Sequence, residues 1–256
     1  MSKRQYNLNF ISDIDLFNHV KETVEIYSES MDLKKFNNNL IDPIKLTFDK
    51  IVYKKSIDEI IEAEIIRQLD KTNTNGIGYF HQNIFKYIGG NDWSVPPQGF
   101  DIVNESQQIY VEMKNKHNTM NSSASQKTYM RMQNKIINQP SAICMLVEVI
   151  AKNSQNIPWE TTVDKIKMNH KQIRRVSIDK FYKIVTKNKT AFKELCLVLP
   201  IVIADVVNSM TEEVVKNTVL TDLKEYGSNT LTNIYLLAFD KYEGFKDFVL
   251  ADEFCD

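Results

Sequence analysis

The sequence predicts an α/β fold: a central mixed sheet flanked by helices, with extra helices at both ends. Three observations lead there: a polar-tipped hairpin pattern, FDIVN then IYVEMKNK; an apolar run, Ala142 to Ile150; and amphipathic stretches on either side of both. In chain order, Ser56 caps a helix that runs to about Leu69. KTNTNG then reads as a turn, and a second helix covers about Tyr79 to Ile88, ended by Gly89 and Gly90. A loop with Trp93, Pro96, Pro97 and Gly99 feeds the hairpin. Ser122 to Asn138 reads as a helix stopped before Pro140, and Ala142 to Ile150 as a buried strand. IRRVS reads as a strand and IDKFYKIVT as a helix; from Ala191 the text is helical, with Pro200 a kink or break. No repeat or Pro/Gly-rich linker divides the chain. It reads as one domain over 1–256, with a core at about 56–186 and a helical C-terminal part at about 189–256.

Composition bounds the class. At 256 residues, 43% hydrophobic and 25% charged, the chain can bury a substantial core. Cys144, Cys196 and Cys255 are too scattered for a disulfide framework or a zinc site, which points to a reducing, cytoplasmic setting. The opening residues lack a signal-peptide apolar region, and the longest apolar run, Leu195 to Ala204, is about half a membrane span. Leu195 to Val207 reads as a core or dimer helix.

A formal net charge of −1 hides a segregation of sign. Met113 to Val147 holds no Asp or Glu but carries Lys114, Lys116, Lys127, Arg131 and Lys135. From Lys165 to Lys193 a second basic block has Asp179 as its one acid, and beyond Thr211 the chain turns acidic, from Glu212 and Glu213 to Asp252, Glu253 and Asp256. Such blocks form either a phosphate-binding face or ordinary solvated faces.

The chemistry lies on the hairpin. Alternation puts Tyr110, Glu112 and Lys114 on one face of their strand and Ile109, Val111 and Met113 on the core side. Ten residues separate Asp101 from Glu112, which places Asp101 on the neighbouring strand within reach of the same point. Two carboxylates can hold a hard divalent cation, and a lysine beside them can orient water and stabilise a pentavalent phosphate. Spacing alone is also compatible with surface charge on a hairpin. A helical wheel places Glu64 among Ile57, Ile60 and Ile61 on an apolar face, so it needs a partner. That partner is either a metal shared with the hairpin, which makes Glu64 a further ligand, or a lysine or backbone group.

PQGFD followed by IYVEMKNK resembles the PD-(D/E)XK nuclease signature, with Pro97 and Asp101 more widely spaced than in its tightest form. VEMKNKHNTMNSSASQKTYMRMQNKI, GYFHQNIFKYIGG, VEVIAKNSQNIPW and RRVSIDKFYKIVT together resemble the type II restriction endonucleases that cleave GGNCC or GGWCC sites, over about Ile57 to Thr186. The resemblance implies a PD-(D/E)XK core with Asp101, Glu112 and Lys114 as metal-binding and catalytic residues and Mg²⁺ as cofactor. It also implies a homodimer that cuts both strands of a DNA palindrome to leave 5′-phosphate ends, paired with a DNA methyltransferase.

The residues offer a DNA surface that suits this. Lys116, His117, Asn118, Asn121, Ser122, Ser123 and Gln126 follow the catalytic strand directly, and a helix starting near Ser122 would aim backbone N–H groups at a phosphate. Lys116, Lys127, Arg131, Arg174 and Arg175 are candidates for guanine O6 and N7. The alternative is a polar loop with a Ser-rich helix cap. Trp159 either packs in the core or wedges against bases, Glu148 reads as structural or as facing the site from the neighbouring strand, and neither His81 nor His170 has a second ligand at helical spacing. Two further functions stay open. One is a PD-(D/E)XK nuclease of DNA repair or recombination, since QKTY at 126–129 resembles the Gln–Tyr helix motif of such enzymes; the other is a non-catalytic DNA-binding protein.

Overall fold

The structure, a computed structural model, describes residues 5–27, 30–210, 217–227, 229–239, 241–242, 245 and 248–250. Of the acidic C-terminal residues, Glu212, Glu213, Asp240, Glu243, Asp247, Asp252, Glu253 and Asp256 lie outside the described residues, as does Cys255. The chain divides into two compact units, each built from separate stretches: residues 1–24 with 75–210, and residues 25–74 with 211–256. The division does not follow a core and a C-terminal part, because the helix after Ala191 belongs to the first unit and the helix after Ser56 begins in the second.

Helices open the chain: α1 (Asp13–Tyr27), α2 (Leu33–Asn38), α3 (Pro43–Tyr53) and α4 (Ile57–Asn83). A capping box starts α4: the Ser56 hydroxyl accepts from the Glu59 N–H at 3.2 Å, and the Glu59 carboxylate accepts from the Ser56 N–H at 2.9 Å. The expected KTNTNG turn is absent, for α4 continues through it as one helix of 27 residues. Thr, Asn and Gly cost helix stability, but Ile57, Ile60, Ile61 and Ile65 are buried at one end of α4 and Phe80 at the other, so packing overrides propensity.

The α-helix stops at Asn83 and a 3-10 turn covers Ile84–Lys86, short of the expected end at Ile88; Gly89 follows with a left-handed φ of +86°. A Cβ there would lie 2.5 Å from Trp93 Cδ1 and 2.6 Å from Val185 Cγ1. Gly89→Ala should cost about 2 kcal/mol or more, through backbone strain and overpacking. Urea unfolding checks this, and an unchanged midpoint would contradict it.

Next come β1 (Ile102–Asn104), β2 (Ile109–Lys116), α5 (Ser122–Asn138), β3 (Ile143–Ile150), β4 (Asn156–Pro158), β5 (Thr161–Val163), β6 (Ile166–Met168), β7 (Ile173–Ser177) and α6 (Ile178–Thr186). The hairpin, the helix after it and the two expected strands thus form nearly as read. The short strands β4, β5 and β6 were not expected; β5 and β6 join through Asp164 and Lys165, both at positive φ, a turn without the Asn-Gly or Asp-Gly signal. α7 (Ala191–Ser209), α8 (Val219–Tyr226) and α9 (Thr230–Phe239) follow. Pro200 neither breaks nor ends α7; it sits exposed in the helix interior while Leu195, Val202 and Val206 anchor the buried side.

The main sheet is mixed, ordered β1-β2-β3-β7-β4, with β2, β3 and β7 parallel and the two outer pairings antiparallel. Its register aligns Tyr110 with Cys144 and Ile173, Glu112 with Leu146 and Arg175, and Lys114 with Glu148 and Ser177. The first row packs under Tyr129, Met132 and Ile136 of α5, with Trp159 in the same core. On the opposite face Val111, Met113, Val147 and Val176 join residues of α1, α6 and α7 in the main core of this unit. The other unit has its own core, in which Phe36, Leu46 and Ile61 pack with Leu223 and Ile234. Among the described residues no helix is long and apolar enough to cross a membrane.

Candidate active site

The site forms where β2 emerges from its two apolar layers. Residues 109–113 are buried, Lys114 and Asn115 are half-buried, and Lys116 is exposed. In a sheet with parallel strands the carboxyl ends are where loops diverge and a substrate can enter.

Asp101 stands one residue before β1. Its N–H donates to the Val111 carbonyl at 2.8 Å, and its Oδ2 accepts the Met113 N–H at 2.7 Å. These bonds bring its carboxyl beside Glu112. Burial and the Glu112 charge push Asp101 above the ordinary carboxylate range, against the opposing pull of the Met113 N–H, Lys114 and Arg131. Lys114 Nζ donates to Glu112 Oε1 at 2.9 Å, and Arg131 Nη2, from α5, donates to Glu112 Oε2. Arg131 is fixed in turn by the Gly99 carbonyl, which accepts from Nη1 at 3.0 Å, and by the Phe100 ring, 4.8 Å from its guanidinium carbon. Asp101, Glu112, Lys114 and Arg131 therefore converge on one point.

A second cluster lies one strand across. The buried Glu148 carboxylate accepts from Arg175 Nε at 3.0 Å and has His117 Nδ1 at 3.0 Å, while Arg175 Nη2 donates to Asn118 Oδ1 at 3.0 Å. Opposing burial, these hydrogen bonds hold Glu148 below the ordinary carboxylate range. Glu148 thus faces the site from the neighbouring strand, one of the readings its sequence position allows, but its buried partner is Arg175 rather than a lysine, a pairing that only the register brings about.

The other expected site residues are spread more widely. Asn121 spends its side chain capping α5, accepting from the Ala124 N–H at 2.8 Å. Ser122 and Ser123 are exposed in the first turn of α5, with Gln126 half-buried behind them. Lys127 and Arg131 line an open cavity of about 840 Å³ together with Glu112 and Lys114. Lys114, Lys116, Asn118 and Arg175 line a smaller one of about 160 Å³. Arg174 points to the opposite face from Arg175 and donates to Asn156 Oδ1 at 2.9 Å. Glu64 is buried as its wheel position required, but in the second unit, and its partners lie on its own helix: Arg67 Nε donates to it at 2.7 Å and Gln68 Nε2 at 3.0 Å. Although burial disfavours its charge, these bonds hold Glu64 below the ordinary range.

Two carboxylates fit a hard divalent cation by the chemistry of their oxygens, and a cation between them would offset both the burial and the Glu112 charge that raise Asp101. Among the described residues no group of three or more His, Cys, Asp or Glu forms a cation cage. A two-carboxylate site that leaves positions for phosphate oxygens and water is typical of Mg²⁺.

A five-stranded mixed sheet between helices, with Glu112 and Lys114 on its second strand and Asp101 just before its first, is an α/β architecture that fits the restriction-endonuclease fold. Comparison with known proteins names the group: the chain belongs to the Eco47II restriction endonuclease family, whose model matches residues 8–208. It is 34% identical over 209 residues to the type II restriction enzyme Sau96I of Staphylococcus aureus, covering 77% of this chain and 80% of that protein. It is 29% identical over 206 residues to the type II restriction enzyme Eco47II of Escherichia coli, covering 75% of this chain and 85% of that protein. Its enzyme class is accordingly that of the type II restriction endonucleases, the site-specific deoxyribonucleases.

Proposed function

We propose that this chain is a homodimeric, Mg²⁺-dependent PD-(D/E)XK endonuclease that cuts both strands of double-stranded DNA at a short GGNCC-like palindrome, leaves 5′-phosphate ends and works beside a protecting DNA methyltransferase. The observation that carries the reading is the convergence of Asp101, Glu112 and Lys114 in a chain of this family. Asp101 and Glu112 would hold the cation. Bound there, Mg²⁺ would supply charge neutralisation at the scissile phosphate and a lowered pKa for coordinated water.

The protein's own groups do the rest. The Lys114 side chain is 32% exposed, and its Nζ, tied to Glu112, presents N–H donors to the larger cavity, where it can orient an attacking water and stabilise charge growing on the phosphorane oxygens. Arg131 holds the second oxygen of Glu112 and so fixes the carboxylate's orientation. Lys116, Lys127 and Arg175 add positive charge for the DNA backbone, and the exposed polar residues Asn118, Ser122 and Ser123 lie where base edges or phosphates can reach them. Glu64, satisfied by Arg67 and Gln68, takes no part in this reading.

Incubating plasmid DNA with the protein and Mg²⁺ tests the proposal, and discrete fragments with a shared sequence at their ends are expected. A smear, or cleavage confined to branched DNA, would instead point to a repair or recombination nuclease. Retardation without cutting would point to a DNA-binding protein lacking catalysis.

A further inference from the structure

The Glu148 cluster does something the catalytic point does not require: it immobilises an arginine. Glu148 is 2% exposed at its side chain, and an ionised carboxylate so deeply placed is costly unless several donors satisfy it. Arg175 meets that need with Nε and Nη2, and Nη2 also lies 2.7 Å from His117 Nδ1 and 3.0 Å from Asn118 Oδ1. Glu148 of β3 and two residues just after β2 thus hold the guanidinium that β7 carries. Nη1 takes no part in these bonds. It remains for a ligand, and Arg175 borders the cavity of about 160 Å³ that Lys114 and Lys116 also line.

We propose that Glu148, with His117 and Asn118, is a positioning residue that holds Arg175 as a phosphate subsite beside the catalytic lysine, taking the phosphodiester next to the scissile one. The proposal rests on the reading that the substrate is duplex DNA. Three features favour a phosphate over a base edge. Lys114, Lys116 and Arg175 line one small cavity, and of the two acids beside them Glu148 is paired with Arg175 while Glu160 accepts from Asn169 Nδ2 at 2.8 Å. Arg175 sits on a sheet strand, in line with Glu112 across Leu146, so its distance from the catalytic row is set by the strand spacing of about 4.8 Å per step. Its fork is already half used by Glu148 and Asn118, which leaves too little of it for bidentate base reading.

The test is fluorescence-anisotropy binding without Mg²⁺, over a range of KCl, to one duplex carrying the cleaved site and one lacking it. The proteins compared are the parent, Arg175→Gln, Glu148→Gln and the double variant. Arg175→Gln should weaken both duplexes by about tenfold or more and lower the salt slope by about 1. Glu148→Gln should give a smaller loss of the same kind, and the double variant should bind no more weakly than Arg175→Gln alone. A loss confined to the site-bearing duplex, an unchanged slope, or additive losses in the double variant would each overturn the proposal. Should Arg175→Gln fail to fold, because it strips the buried Glu148 of its main donor, Glu148→Gln and the double variant, which removes both charges, still decide it through the same losses in affinity and salt slope. If the parent itself binds neither duplex, the DNA reading fails first; binding by the parent that both substitutions leave untouched removes the subsite alone.

Discussion

Lys114→Ala is expected to bind site-bearing duplex DNA about as the parent does and to cleave it at least about 10²–10³-fold more slowly, the usual cost of deleting one preorganised donor aimed at transition-state charge. The fold should tolerate the change. Lys114 is half-buried at the point where β2 leaves the core, and its loss leaves Glu112 still paired with Arg131. The split between binding and rate is the informative part. A lysine that served only as a surface charge would lower affinity and leave the single-turnover rate alone. Gel retardation without Mg²⁺, followed by a single-turnover assay with it, measures both, and a variant cutting at the parental rate would remove Lys114 from the mechanism.

Asp101→Asn should abolish cleavage, by at least about 10²-fold, without lowering stability at neutral pH. The sign follows from the position of the carboxyl. Burial and the neighbouring Glu112 raise Asp101 above its ordinary value, so between that value and the raised one the folded chain binds more protons than the unfolded chain. Stability therefore falls as pH rises through that window, and the penalty persists at neutral pH. Asparagine cannot ionise, yet its carbonyl can still accept the Met113 N–H. The melting temperature of the variant should equal or exceed that of the parent at pH 7, and the difference should close below the ordinary carboxylate range. Added Mg²⁺ should raise the parent's melting temperature by mass action and the variant's far less. A variant that melts clearly below the parent at pH 7 would contradict this account.

Asp101 also shows how a carboxyl held at a cost to stability marks a candidate site. A carboxyl pressed against another in a half-buried corner is unfavourable by itself, and such strain is tolerated where a site uses it. Glu64 shows the converse. It shares the suspicious feature of an inward carboxylate on an apolar helix face, but its pKa lies below the ordinary range because Arg67 and Gln68 already answer it. Burial of an acid marks a question rather than a site, and the partners decide the answer.

What the sequence by itself determined is what depends on period and short range. Alternation in IYVEMKNK, the helix from Ser122 to Asn138 and the strand–helix pair from Ile173 to Thr186 all appear where local pattern puts them. Asp101, Glu112 and Lys114 meet because a hairpin brings its two strands together whatever else the chain does. Only the tertiary structure decided the rest, since those features turn on contacts between residues far apart. KTNTNG stays helical because buried side chains anchor α4 on either side of it, and Pro200 stays inside α7 because the buried side of that helix holds it. Arg131 met Glu112, and Glu148 drew in Arg175 and His117, because an ionised carboxylate under a helix or between strands must find donors wherever the sheet register and helix packing bring them. Local periodicity sets which face a side chain takes; the partner it meets on that face is set by strand order, and strand order is not written in any short stretch of sequence.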